Sequence, residues 1–175
     1  CIRDRSKKDH EDFMKKGNSH GDWAKLAGVV DSGAVTSVSP STTAPWIPFY
    51  KTDKVERKIF YVDAGGNKIY NEGEKVYEGF SDNGIPIDTP VQVAKVQRTL
   101  FAVREMKAAS NIVVWGLGKD YAIVEKKTGK TIYEDGDDAV INKRSKAVTK
   151  IIDNGKDYVI NIWLKKPKGE NGGNM

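Results

Sequence analysis

The residues best suited to chemistry in this chain are Val29-Val30-Asp31-Ser32-Gly33-Ala34. Their order suggests how they would work. The two apolar residues are expected to form a strand that carries the Asp31 carboxylate onto a floor of low dielectric. Gly33 permits a tight turn, so that a backbone N–H can point back at the carboxylate. Ser32 offers a hydroxyl to brace the turn, and Ala34 is small enough for another chain to approach. One carboxylate does not hydrolyse a peptide bond alone. An ionised group must take a proton from water while a second, protonated group donates to the carbonyl oxygen. Two carboxyls sharing one proton fill both roles, because like charges so close do not both ionise, and such a pair titrates as a unit.

Ile87-Asp88-Thr89-Pro90 imitates a second copy of the motif. Pro90 stands at the glycine position, where it has no N–H to donate and cannot take the glycine conformations of the turn. The 175 residues are also too few for two full lobes of this kind. The second Asp31 is therefore expected from a second copy of the chain, across a two-fold axis.

The elements around the motif read as short strands. Trp23, Leu26, Val29 and Val30 suggest a buried strand running into the Asp31 turn. Residues 38–48 are rich in Pro, Ser and Thr and read as a loop. Lys58-Ile59-Phe60-Tyr61-Val62 is strand-like and meets the turn signal Gly65-Gly66-Asn67 before Lys68-Ile69-Tyr70. The spacing of Val103, Met106, Ala108 and Ala109 predicts a short helix over 103–109. Hairpins are expected beyond it: one around Gly116-Leu117-Gly118, one around Thr128-Gly129, and one around Asp153-Asn154-Gly155-Lys156. The pattern predicts an all-β domain, barrel-like or sandwich-like, over 21–165. Residues 1–20 are expected to be a flexible N-terminal arm, with a helix over 9–16 anchored by Phe13 and Met14. Residues 166–175 are expected to be a disordered tail.

Taken in order, Asp31-Ser32-Gly33-Ala34, the Pro/Ser loop, Gly65-Gly66-Asn67-Lys68-Ile69, Gly73-Glu74-Lys75-Val76 and Thr99-Leu100-Phe101-Ala102-Val103-Arg104-Glu105-Met106 resemble the retropepsin-like aspartic protease segment of Copia-type retrotransposon polyproteins. Ile112-Val113-Val114-Trp115 and Lys127-Thr128-Gly129-Lys130 continue the likeness. The resemblance covers roughly residues 23–164. It implies a retropepsin-like closed barrel with one short helix, extended by extra C-terminal β-hairpins. It also implies an aspartic endopeptidase that processes a polyprotein as a homodimer, without a cofactor or metal. Asp31 would be the catalytic residue, braced by Ser32 and Gly33, with Ala34 beside the substrate. Residues 58–79 would hold a flap, with Gly65 and Gly66 at its tip. Leu100-Phe101-Ala102 would pass behind the active-site turn. Three features depart from the pattern. Val35-Thr36-Ser37 follows where retroviral proteases often carry an acidic residue, Ala102 replaces an expected Gly, and the region after Met106 is long. The alternative reading is a catalytically inactive domain of the same fold, acting as a structural or binding module.

Composition sets the remaining bounds. The net charge is +5, from 29 basic and 24 acidic residues mixed along the chain. That favours solubility over dedicated nucleic-acid recognition, so peptide or polyprotein partners are expected rather than a specific nucleic acid. The mean hydropathy is −0.56. No apolar run is long enough to span a bilayer, and no signal-type apolar stretch follows Cys1, so no membrane partner is expected. The single cysteine excludes an internal disulfide and fits an intracellular, cytoplasmic setting. His10, Asp12, His20 and Asp22 match no compact ligand spacing, so no metal is expected. Gly116-Leu117-Gly118-Lys119 lacks the spacing of a phosphate loop and reads as a hairpin turn.

Overall fold

The computed structural model describes residues 7–16, 21–117, 120–125 and 148–167. Strand β1 (Trp23–Asp31) buries Leu26, Gly28 and Val30 in alternation, the period of two that a half-buried strand requires. At its end the chain turns and returns as β2 (Val38–Ser39). A short helix, α2 (Asp53–Glu56), precedes a hairpin of β3 (Phe60–Val62) and β4 (Lys68–Phe80). β5 (Pro86–Ala94) pairs antiparallel with β4 along its length. β6 (Leu100–Ala102) runs directly into α3 (Val103–Ala108). The C-terminal region holds β7 (Asn111–Leu117), β8 (Asp120–Glu125), β9 (Val148–Asp153) and β10 (Tyr158–Lys165).

The protein is mostly β-sheet with few helices. The strands follow the order β3-β4-β5-β2-β6-β1-β10-β9-β8-β7, and β10 pairs additionally with β4 at Trp163↔Phe80 and Leu164↔Gly79. β10 lies antiparallel to β1 from Trp23↔Lys165 to Val29↔Val159, so the last described strand supports the strand that carries the motif. Leu26, Val30, Tyr77, Phe101, Ile162 and Leu164 meet in the main core. Within it a buried hydroxyl trio is satisfied internally: Ser39 Oγ lies 2.6 Å from the Tyr77 hydroxyl and 2.7 Å from Thr99 Oγ1. Hydroxyls buried without partners would each cost about 1–3 kcal/mol, so the trio is one of the ties between β2, β4 and the lead-in to β6.

Several expectations change. Lys7–Lys16, inside the segment expected to be a flexible arm, is helix α1 and is docked on the domain. Phe13 is 2% exposed, stacked on Phe80 and edge-on to Trp23. Burying a phenylalanine is worth about 1.5–3 kcal/mol, enough to hold a short amphipathic helix that would be marginal alone. The described residues hold three helices: those expected over 9–16 and 103–109, the first of them docked on the domain, and α2, which was not expected. The 38–48 loop begins with two residues of strand. Asp88 lies inside β5, opposite Glu78, and Pro90 is opposite Val76, so this stretch is a strand and not a second active-site turn. β2 reaches β5 only at Gln92 and Val93, which leaves Pro90 where a missing N–H is tolerated. The β9–β10 hairpin forms around Asp153-Asn154-Gly155-Lys156 as expected. The expected Thr128-Gly129 hairpin lies outside the described residues, as do residues 168–175 of the tail.

Candidate active site

Asp31 is the last residue of β1, and β6 runs parallel beside it in the register Val29↔Leu100, Val30↔Phe101 and Asp31↔Ala102. β6 also pairs antiparallel with β2 at Val38↔Leu100. The 31–38 turn therefore arches from one neighbour of β6 to the other, with Leu100-Phe101-Ala102 passing between them. Phe101 and Ala102 are buried at 1% and 0% exposure, so the strand beneath the turn is solid core.

Inside the turn, Gly33 N–H donates to Asp31 Oδ1 at 2.7 Å and Ala34 N–H donates to the same oxygen at 3.2 Å. Asp31 is half-buried and Ser32 exposed. The turn is braced by Gly33 and Ala34. The Ser32 hydroxyl has no hydrogen bond among the described residues, so the bracing role expected of it falls to the two amides. The rest of the turn is held from α3. Glu105 accepts from the Thr36 hydroxyl at 2.5 Å and from Ser37 N–H at 2.9 Å. Ser37 Oγ accepts from Ala102 N–H at 3.0 Å, which ties the turn to β6. Val35-Thr36-Ser37 stands where the resemblance leads to an acidic residue just after Ala34. The carboxylate beside Thr36 and Ser37 comes from Glu105, 68 residues along from Ser37.

A cleft of about 940 Å³ opens over the turn. Asp31 and Ser32 line it with Val29, Val30 and Leu100, and so do Asp63, Ala64 and Ile69 of the β3–β4 hairpin. Gly65 and Gly66 sit at the tip of that hairpin but do not line the cleft; Asp63 and Ala64 do. Gly33 and Ala34 also stay off the lining. Gly66 has φ +83°, a conformation that suits glycine. The tip is organised by Asp63, whose carboxylate accepts from Gly65 N–H at 2.9 Å, from Asn67 N–H at 2.8 Å and from the Asn67 side chain. These bonds, the Asn67 side chain foremost, hold the Asp63 carboxyl below the ordinary range.

The remaining walls come from residues the motif did not point to: the 95–98 loop and the turn Lys156-Asp157-Tyr158. Arg98 and Asp157 form an ion pair across them. The turn signal around Gly155 was visible in the sequence, but nothing local indicated that it would reach the Asp31 cleft. Among the described residues, no group of three or more His, Cys, Asp or Glu is placed to hold a metal ion, and no helix is long and apolar enough to cross a membrane. No family model, curated protein or solved structure matches the chain.

Proposed function

We propose that the chain is one half of an aspartic endopeptidase, completed when two copies bring their Asp31 carboxyls together across a two-fold axis. The observation that carries this reading is the Asp31 turn: a carboxylate at the end of a core strand, one oxygen engaged by two amides of its own turn, at the edge of a cleft of peptide size. Leu100-Phe101-Ala102 passing beside that turn, and Asp63, Ala64 and Ile69 of the β3–β4 hairpin lining the same cleft, support it further. The β4–β10 pairing brings the sheet back on itself through β5, β2, β6 and β1, which supports a closed, retropepsin-like barrel. In this reading one Asp31 takes the proton of an attacking water and its partner donates to the substrate carbonyl. No cofactor takes part. The protein acts on peptide or polyprotein segments.

The test is a pair of measurements on Asp31→Asn. Sedimentation should give a dimer for both proteins, and cleavage of extended peptides at mildly acidic pH should fall by about 10³-fold or more in the variant, with the circular dichroism spectrum unchanged. Cleavage at the wild-type rate by the variant would remove Asp31 from the chemistry. A wild-type protein that folds but cleaves no peptide would favour the non-catalytic module.

A further inference from the structure

The charges around the cleft are not evenly committed. Three carboxylates line it, Asp31, Asp63 and Asp157, and three cations, Lys95, Arg98 and Lys156. Asp63 is occupied by its own hairpin tip. Asp157 and Arg98 neutralise each other. The Lys95 and Lys156 side chains have no ion-pair partner among the described residues, and both are exposed. Lys156 is presented by an ordered turn: Asn154 Oδ1 accepts from the Lys156 N–H at 3.0 Å and the Asp157 N–H at 2.8 Å, while Asp153 accepts from Gly155 N–H at 2.8 Å. The Arg98–Asp157 pair links this turn to the loop that carries Lys95. The same cleft thus holds Asp31 and two cations awaiting a partner.

We infer that the cleft selects peptides with acidic side chains flanking the bond over Asp31, with Lys95 and Lys156 as their partners. The inference rests on the proposed peptidase reading and names its substrate class. An acid directly over Asp31 would meet like charge, so the preferred acids lie to the side. In a two-fold dimer each half supplies the same lysines, so acids are favoured on both flanks. The chain's own sequence contains a stretch of this chemistry. In residues 131–141, Glu134, Asp135, Asp137 and Asp138 stand between the apolar pairs Ile132-Tyr133 and Ala139-Val140.

The test uses the full chain carrying Asp31→Asn, so that binding is read without turnover. The probe is a labelled peptide with the sequence of residues 131–141, compared with the same peptide carrying Gln and Asn in place of Glu and Asp. Anisotropy titration at low salt should give about 3–10-fold tighter binding of the acidic peptide, shrinking towards no preference at about 0.5 M salt. Adding Lys95→Glu and Lys156→Glu should reverse the preference; both sites are exposed, and thermal unfolding checks that the fold is kept. Equal affinity for the two peptides, binding of neither, or a preference that survives the lysine changes would overturn the inference. The two readings fail separately. A wild-type protein that cleaves neutral peptides as fast as acidic ones keeps the peptidase and loses the selectivity. Selective binding without any cleavage by the wild type does the opposite.

Discussion

Gly28→Ala is the most revealing single change, because it probes the contact on which the Asp31 turn rests. A Cβ on Gly28 would lie 1.9 Å from Cε2 and 2.4 Å from Cδ2 of the Phe101 ring. Phe101 is 1% exposed and sits on β6, in register with Val30. It has no solvent to move into, so either its ring leaves its rotamer or β1 and β6 separate. Overpacking of this kind costs about 1–3 kcal/mol, and relief of glycine's unfolded-state entropy returns only about 0.4–1 kcal/mol. A net loss of about 1–2 kcal/mol is expected in urea denaturation. Gly21→Ala is the control: nothing lies within 4 Å of its added Cβ, so it should be neutral or slightly stabilising. Phe101→Leu alone should cost about 1–2 kcal/mol through lost packing. Combined with Gly28→Ala it should cost less than the sum of the two, because the smaller side chain makes room for the methyl. Peptide cleavage should fall by about tenfold or more in Gly28→Ala, since a shift of β6 is transmitted to Asp31 through its Ala102 partner. If Gly28→Ala is as stable as Gly21→Ala, or the double variant is simply additive, then β1 and β6 do not meet in this register and the argument for the site fails with them.

Glu105→Ala removes both hydrogen bonds that hold Thr36 and Ser37, and should cost about 1–2 kcal/mol after allowance for partial exposure. It should lower kcat more than it raises KM, whereas an equal loss in Gly28→Ala-like proportion to stability would make Glu105 a fold residue only. Lys75 is fully buried with its ammonium donating to the Thr43 carbonyl at 3.0 Å, and burial pushes its pKa below the ordinary lysine value. The unfolded chain therefore holds more protons than the folded one between that lowered value and 10.5, so stability should rise with pH across this window and the cost should be present in full below it. Urea midpoints at about pH 7 and about pH 9.5 should show this rise in the wild type and a flatter response in Lys75→Met; parallel responses would show that Lys75 is not the titrating group. The measurement stays below about pH 10, because burial raises the Tyr77 hydroxyl and its linkage runs the other way.

What could be read in the sequence was local. Asp153-Asn154-Gly155-Lys156 between alternating strands gave the β9–β10 hairpin, since turn chemistry and a period of two are both short-range signals. Val103 to Ala108 gave α3 for the same reason. What could not be read depended on distant partners. Phe13 alone does not indicate a docked helix, because Trp23, Phe80 and Trp163, which bury it, come from three separate strands. Glu105 looks like an ordinary surface residue of a short helix, and only the return of the chain beneath the Asp31 turn gives it Thr36 and Ser37. The pairing of β10 with β1 joins segments more than a hundred residues apart, and nothing in either strand announces the other. The α2 helix is not legible in the sequence although Asp53 and Glu56 place acids in its first turn, because one turn of helix carries too few apolar positions to set a period.

The Asp31 carboxylate divides its two oxygens unequally, and this bears on the stoichiometry. Oδ1 is taken by the amides of Gly33 and Ala34. Oδ2 has no hydrogen bond among the described residues. A carboxylate held only to stabilise its turn would need nothing more, and its second oxygen would face water at no benefit to the fold. In the proposed dyad this arrangement would serve the chemistry: one oxygen is held by the turn, and the other is left for a shared proton and an attacking water. The Ile87-Asp88-Thr89-Pro90 stretch cannot be that twin, since it is locked in β5 by its pairing with β4. Asp63 and Asp157 share the cleft but are already committed, to Asn67 and to Arg98. On the proposed peptidase reading, the group that would complete Asp31 is a second Asp31. A monomeric protein that cleaved peptides at full rate would contradict that argument, whatever the motif suggests.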